Sequence, residues 1–272
     1  MRIVNLMEDT KGAENCAYEH GLSFYVETGK HKVLVDTGAT GAFIQNAKVL
    51  GIDLSEVDTV IISHGHYDHG GGIMDFIKIN DKAVIYIQES ATGEFYNAST
   101  ANGKYIGMDK DIPDLPQVRL IDGDMRIDDE LSIFTDVAGR RLWPKGNELL
   151  KRKVSDTYVQ DEFEHEQYLV ISEGDTNVLI SGCAHNGILN ILDKYLDIYE
   201  DMPTKVISGF HMMKKSDYTE EDEFIIRATA RELRELDTTF YTGHCTGEYA
   251  LNILKSMMGD KLIEIHSGEE IV

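Results

Sequence analysis

The hydrophobic pattern changes rhythm along the chain. Near the start it is strand-like. "LSFYVETG" (22–29) and "KVLVDTG" (32–38) are β-branched and aromatic runs broken by glycine, with Gly29-Lys30-His31 as a hairpin turn. Phe43, Ile44, Ala47 and Leu50 recur at spacings of three and four, which predicts a helix over about 41–51. "VDTVIIS" (57–63) is almost wholly apolar and suits a strand buried on both faces, and "GGIMDFIKI" after it reads as a helix. From 166 onward the alternation is regular. "QYLVIS" and "NVLISG" read as strands, "GILNILDKYLDIY" as a helix, "KVISG" as a strand and "EEDEFIIRATARELREL" as an amphipathic helix. "TTFYTG" is a further strand, "EYALNILKSM" a helix and "KLIEIHSGEEIV" a closing hairpin.

The stretch from about 90 to 165 has no such rhythm. Turn-rich pieces ("ANGKYIGMDK", "DIPDLP", "GRRLWPKGNE") alternate with short apolar runs such as "LSIF" (131–134), a texture that suits a pocket-forming segment. No linker, repeat or low-complexity tract divides the chain. Its 272 residues are therefore read as a single domain, 1–272, in which mostly-strand segments give way to alternating strands and helices.

Charge narrows the partners. With 26 Lys and Arg against 48 Asp and Glu, the net charge is −22, and no basic stripe offers a track for nucleic acid. The opening "MRIVNLMEDTKG" has too short an apolar run for a signal peptide, and no stretch approaches the roughly 20 apolar residues of a membrane span. Cys16, Cys183 and Cys245 are odd in number and widely spaced, which points to a reducing cytoplasm rather than a disulfide framework. The expected partner is a small anionic molecule, with neither nucleic acid nor membrane; oligomeric state is left open.

Chemistry concentrates in "ISHGHYDHGGG" (62–72). The strand before it delivers His64 and His66 on the same side of extended backbone, so both can grip one metal. Asp68 and His69 follow the turn and can face a second position. Gly70, Gly71 and Gly72 let the backbone bend and bring a helix close to the site. Imidazole and carboxylate donors suit Zn²⁺, Fe²⁺ or Mn²⁺.

The H-x-H-x-D-H pattern after a buried strand, together with "LVDTG" (34–38), resembles the metallo-β-lactamase superfamily. The resemblance implies an α/β fold, the αββα four-layer sandwich, with a binuclear metal centre at one edge and Asp36 orienting the ligand histidines. "EHGLSF" (19–24), "GCAHNGILNIL" (182–192), "GFHM" (209–212) and "GHCTGEYA" (243–250) resemble one branch more narrowly. That branch is named for 7,8-dihydropterin-6-methyl-4-(β-D-ribofuranosyl)-aminobenzene-5′-phosphate synthase, and many of its members are called only metal-dependent hydrolases.

The other candidates sit where strands end. His185 and His244 are read as metal ligands. Cys183 stands where the superfamily usually has a bridging Asp; it is either a bridging thiolate or a small buried hydrophobe. His211 is a ligand, a proton donor to the leaving group or a substrate contact, and as a catalytic residue it joins Asp68. His20 either approaches the site or packs elsewhere. His165, among acidic neighbours, is read as a solvated loop residue, and His31 and His266 as turn residues with no chemical role.

The expected reaction is hydrolysis of a small anionic ester, a phosphoester in first place. Two divalent transition-metal ions, zinc in first place and manganese or iron as alternatives, would lie about 3.5–4 Å apart and share an activated water. Lys104, Arg140, Arg141 and Lys145 are the candidate phosphate contacts. The rival readings are a synthase of the pterin-precursor kind, with Tyr105 and Trp143 as hints of a heterocycle pocket, an iron-dependent redox enzyme, and a non-catalytic binding module.

Overall fold

A computed structural model describes residues 1–99 and 103–272. Residues 100–102, part of the turn read at "ANGKYIGMDK", lie outside the described residues.

Two sheets face each other. The first runs in the order Arg2–Met7, Ser23–Glu27, Lys32–Val35, Thr59–Ile62, Val84–Gln88, Val118–Ile121. Its first three strands pair antiparallel and the later ones parallel. The second runs in the order Leu262–Glu264, Thr239–Thr242, Lys205–Ser208, Thr176–Ser181, Tyr168–Glu173, Leu131–Phe134, Met125–Arg126. Alternation sorts each strand between two faces. Val33 and Val35 turn inward to meet Ile61, Leu169, Ile171 and Ile180 between the sheets, while Leu34 turns outward to Phe43 and Ala47 of helix Ala42–Val49. Tyr168 and Val170 likewise turn outward beneath helices Ile188–Tyr199, Glu220–Glu235 and Glu248–Met258. This is the αββα sandwich that the motif resemblance implies.

The helices follow from their spacing. Ile188, Ile191, Leu192 and Tyr195 put one buried stripe on the second sheet. Thr219 caps helix Glu220–Glu235 by a reciprocal pair of bonds with Asp222, and four acidic residues fill its first turn. Ile226, Ala230 and Leu233 seat it, so truncating Leu233 to Ala costs about 2–5 kcal/mol.

Five expectations change. The C-terminal segment is not a hairpin: Leu262–Glu264 pairs parallel with Thr239–Thr242, and the chain then crosses to the first sheet, where the Ile3 N–H donates to the Val272 carbonyl at 2.9 Å. The 90–165 stretch is more ordered than its sequence suggests. It supplies strands to both main sheets and contains a small antiparallel sheet, Thr157–Gln160, Leu150–Val154, Phe95–Asn97 and Lys104–Tyr105. Two one-turn helices, Tyr67–Gly70 and Ile73–Phe76, replace the single helix expected after the histidine motif. Gly71 and Gly72 keep helical backbone there (φ −65° and −85°), so they serve close approach rather than a bend. A Cβ on Gly71 would stand 2.2 Å from the Ala39 carbonyl, and one on Gly72 2.4 Å from that of Thr37. His31 is more than a turn residue, because its ring lies between Asp58 (2.9 Å) and Asp128 (2.6 Å) and ties the first hairpin to two loops. No helix among the described residues is long and apolar enough to cross a membrane.

Candidate metal centre

Five strands from both sheets end at one edge, and the turn after each carries site residues. Lys32–Val35 leads to Asp36, Thr59–Ile62 to Ser63 and His64, Thr176–Ser181 to Cys183 and His185, Lys205–Ser208 to His211, and Thr239–Thr242 to His244. Asp36, Ala184, His211 and His244 all adopt positive φ (59°, 52°, 47° and 49°). Such backbone is costly for residues other than glycine, and its recurrence at four of these strand ends marks a region held in shape for a purpose.

The side chains converge into two groups. His64 Nε2 lies 3.0 Å from His66 Nδ1 and 3.3 Å from His185 Nε2. On the other side, His69 Nε2 lies 3.2 Å from Cys183 Sγ, and Asp68 Oδ2 is 3.8 Å from His69 Nε2 and 3.5 Å from His244 Nε2. Cys183 belongs to both: its sulfur is within 4.8 Å of His64 and His185 donor atoms, and also of those of His69 and His244. Donor atoms 2.0–2.1 Å from a common tetrahedral ion stand about 3.3 Å apart. The observed spacings match that edge. One proton cannot satisfy three imidazole nitrogens converging on a point, whereas a cation can.

Outer hydrogen bonds fix which nitrogen points inward. His69 Nδ1–H donates to Asp36 Oδ2 at 2.6 Å. His64 Nδ1–H donates to Ser63 Oγ at 2.9 Å, and that hydroxyl donates to Asp36 Oδ2 at 2.7 Å. His185 Nδ1–H donates to Asn147 Oδ1 at 2.9 Å, and His244 Nδ1–H to Asp9 Oδ1 at 2.6 Å. Each bond leaves Nε2 as a lone-pair donor aimed into the site, the arrangement that metal-ligating histidines adopt. His244 Nε2 is buried with no hydrogen-bond partner. His66 is reversed, with Nδ1 inward and Nε2 buried without a partner.

Protonation agrees with this geometry. Burial, reinforced by neighbouring imidazoles, holds His64 and His185 well below the usual histidine value and His66 down to about 3, so all three are neutral. Burial would raise the Asp68 carboxyl, but His69, His244 and His20 outweigh it and hold the group well below the ordinary range. Burial opposes the charged form of His244, yet the carboxylates of Asp68 and Asp9 raise it strongly, so a cation binding there displaces a proton.

All seven residues read as ligands, His64, His66, Asp68, His69, Cys183, His185 and His244, thus meet at one place. His211 stands beside them: its ring is 4.1 Å from that of His185, and its Nδ1 has no partner. His20 reaches the site, with Nε2 3.4 Å from Asp68 Oδ2 and its ring stacked on His244. His165 corrects the expectation of a solvated loop. It is 2% exposed, accepts the Gly65 N–H at 3.0 Å and pairs with buried Asp161 at 3.1 Å. Asp9, Asn147 and Ser63 were not legible as site residues, and neither was Glu166. The Glu166 carboxylate accepts the backbone N–H groups of His185 (2.7 Å) and Asn186 (2.9 Å) and so braces the Cys183–His185 turn.

A cavity of about 750 Å³ opens over the two groups. Asp68, Cys183, His185 and His211 line its inner end, and Lys104, Lys145, Lys214 and Lys215 lie along its walls. Arg140 and Arg141 do not line it. Arg140 bonds Glu162 and Asn186, and Arg141 bonds Asp193 and Glu232. Tyr105 and Trp143 do not line it either. Tyr105 donates to the Met108 carbonyl, and Trp143 packs on Phe163. Tyr67 is the only Phe, Tyr or Trp on its described walls.

Comparison with known proteins places this geometry. Residues 18–150 match the family model described as the metallo-β-lactamase superfamily. Over its whole length the chain is 28% identical to a Methanocaldococcus jannaschii protein, of which it covers 96%. That protein is named 7,8-dihydropterin-6-methyl-4-(β-D-ribofuranosyl)-aminobenzene-5′-phosphate synthase. A second protein of that organism, MJ0448, is 24% identical, with 94% of each chain covered. Among solved structures, Tm1679, described as a metal-dependent hydrolase of the β-lactamase superfamily, superposes with a TM-score of 0.83 at 29% identity, covering 100% of this chain and 98% of its own. YhfI of Bacillus subtilis shares the fold at a TM-score of 0.56 and 14% identity, with 100% and 99% of the two chains covered. By its motif, its fold and this full-length likeness, the chain is similar throughout to proteins of the metallo-β-lactamase superfamily.

Proposed function

We propose that this protein is a metal-dependent hydrolase of a small anionic ester, with a phosphoester in first place. One observation carries the reading: two donor groups share Cys183 at the inner end of a cavity whose walls hold four lysines. The ligands assigned are His64, His66 and His185 on one side and Asp68, His69 and His244 on the other, with the Cys183 thiolate between. Two divalent ions held there would supply an acidified water and positive charge beside the developing oxyanion. The sulfur favours zinc or iron over manganese, since thiolates are soft donors.

This chain's own residues do the rest. Asp68, ionised and aimed into the site, orients the attacking water. His211, at the cavity wall with a free ring nitrogen, delivers a proton to the leaving oxygen. Lys145 and Lys214 are engaged by Glu221 and Asp222, whereas Lys104 and Lys215 form no salt bridge among the described residues. These two are the cations left to meet a substrate anion. A long polyanion would meet the net charge of −22, but a small one is held locally. Three free cysteines, all buried, suit a reducing compartment, and we place the protein in the cytoplasm.

The test is turnover of a panel of phosphomonoesters, phosphodiesters, lactones and thioesters by protein reconstituted with zinc, manganese or iron. Hydrolysis of a small anionic ester that vanishes with chelator and collapses in Asp68→Ala supports the reading. Preference for RNA or long single strands over every small ester overturns it. A second reading, a synthase at the same site, is favoured by the full-length likeness to a protein so named. It predicts an ester-inert, metal-loaded protein that joins two substrates, and Tyr67, the one Phe, Tyr or Trp on the described walls, gives a heterocycle little to stack on.

A further inference from the structure

Cys183 and Cys245 occupy the turns after strands Thr176–Ser181 and Thr239–Thr242, on either side of strand Lys205–Ser208. Their sulfurs and a ring nitrogen of His211 all lie within 4.8 Å of one another. The Cys245 sulfur also sits 3.6 Å from the Cys183 carbonyl oxygen and accepts the His211 backbone N–H at 3.3 Å. Gly209 makes the approach possible, because a Cβ there would stand 2.4 Å from the Cys245 sulfur. Both cysteines line the cavity, so a small solute can reach them. The proposed hydrolysis uses Cys183 and leaves Cys245 without a role.

We infer that Cys183 and Cys245 form a redox-modification site at which a peroxide joins them as a disulfide, withdrawing the shared sulfur from both donor groups. One cysteine, as thiolate, attacks a peroxide oxygen. The O–O bond breaks, leaving a sulfenic acid and a hydroxide that takes up the displaced proton as water. The other thiol attacks the sulfenic sulfur, the S–S bond forms, the S–O bond breaks and a second water departs. Two thiols thereby lose two protons and two electrons, and one peroxide is reduced to two waters. A disulfide needs about 2.05 Å between sulfurs. The gap to close is within reach of side-chain rotation, because a change of χ1 rotamer moves a cysteine sulfur by about 3 Å. Disulfide formation stands on the sulfur geometry alone; its effect on metal binding rests on the hydrolase reading of Cys183.

Reduced full-length protein, metal-free and zinc-loaded, is treated with hydrogen peroxide and followed by intact mass and peptide mapping. The expected product is a Cys183–Cys245 cross-linked peptide, formed at least about tenfold more slowly when zinc occupies the thiolate and reversed by dithiothreitol. The cross-linked protein takes up zinc at least about tenfold more weakly than the reduced protein. Cys16→Ser cross-links as the parent does, and Cys245→Ser does not. Separate over-oxidation of the two cysteines, a link through Cys16, or full zinc affinity in the cross-linked protein overturns the inference. Zinc uptake by the untreated, reduced protein is the independent check on the metal centre itself.

Discussion

Asp36→Asn isolates the contribution of one carboxylate. Asp36 is fully buried, and its two oxygens accept three hydrogen bonds: Ser63 N–H on Oδ1 (2.7 Å), and Ser63 Oγ–H (2.7 Å) and His69 Nδ1–H (2.6 Å) on Oδ2. An asparagine keeps the shape and, with its carbonyl in the Oδ1 place, keeps the Ser63 N–H. Its amide then faces His69 Nδ1–H donor to donor. A buried donor left unsatisfied costs about 1–3 kcal/mol. Losing a partner that orients a ligating histidine typically costs about 10–100-fold in metal affinity. The variant should therefore unfold about 1–3 kcal/mol more easily, which for a domain of this size lowers the melting temperature by roughly 2–10 °C. Competition with a chromogenic chelator should show a metal held at least about tenfold more weakly. The loss should fall mainly on the ion bound by His69, since His64 feels Asp36 only through Ser63. Unchanged stability together with metal affinity within about twofold would refute the orienting role assigned to Asp36.

Replacing His185 or His244 by Ala should lower metal occupancy or turnover at least about tenfold, by elemental analysis and rate; both variants at parental values would contradict the assignment. Lys104→Ala combined with Lys215→Ala should raise KM for an anionic ester several-fold with kcat nearly kept, and a fall in kcat alone would place these lysines elsewhere in the reaction. Glu166→Ala should leave the buried N–H groups of His185 and Asn186 unpaired, costing about 1–3 kcal/mol each in a denaturant titration; a loss below about 0.5 kcal/mol would show that this brace is dispensable. His31 gives a pH signature. Burial lowers it, but hydrogen bonds to Asp128 and Asp58 outweigh this and raise it above 6.5, while Asp128 is drawn down to about 2. The stabilisation by His31 is therefore fully present below pH 6.5 and fades as pH rises through the raised folded-state value; that by Asp128 is lost as pH falls towards about 2. His31→Gln should cost about 0.5–1 kcal/mol near pH 6 and little near pH 9, and a loss independent of pH would contradict the ion-pair account.

The part of the site that sequence reveals is the part that is local. His64, His66, Asp68 and His69 lie within one turn of chain after an apolar strand, so spacing alone predicts their convergence. The strand-end histidines His185 and His244 are legible once the strands are. Their outer partners are not, because hydrogen bonds join His244 to Asp9 across 235 positions and His185 to Asn147 across 38. His165 misleads for a different reason. Its acidic neighbours suggest solvent, yet Asp161, Phe163 and His165 turn inward while Glu162 and Glu164 turn outward to Arg140 and Arg152. That alternation with a period of two was present in the sequence, masked by charge. The small sheet in the middle segment escaped because its strands are short and half exposed, and the long hydrogen-bonded return of the C-terminus leaves no local pattern.

The hydrolase reading proposed for this site depends on two ions that Cys183 would share. Titrating cobalt into metal-free, reduced protein reads that arrangement out, because thiolate coordination to Co²⁺ gives an intense near-ultraviolet charge-transfer band. Binding should saturate at about two equivalents per chain, with the band present in the parent and lost in Cys183→Ser. Less than about a tenth of an equivalent bound, or cobalt bound with no thiolate band in the parent, would contradict it.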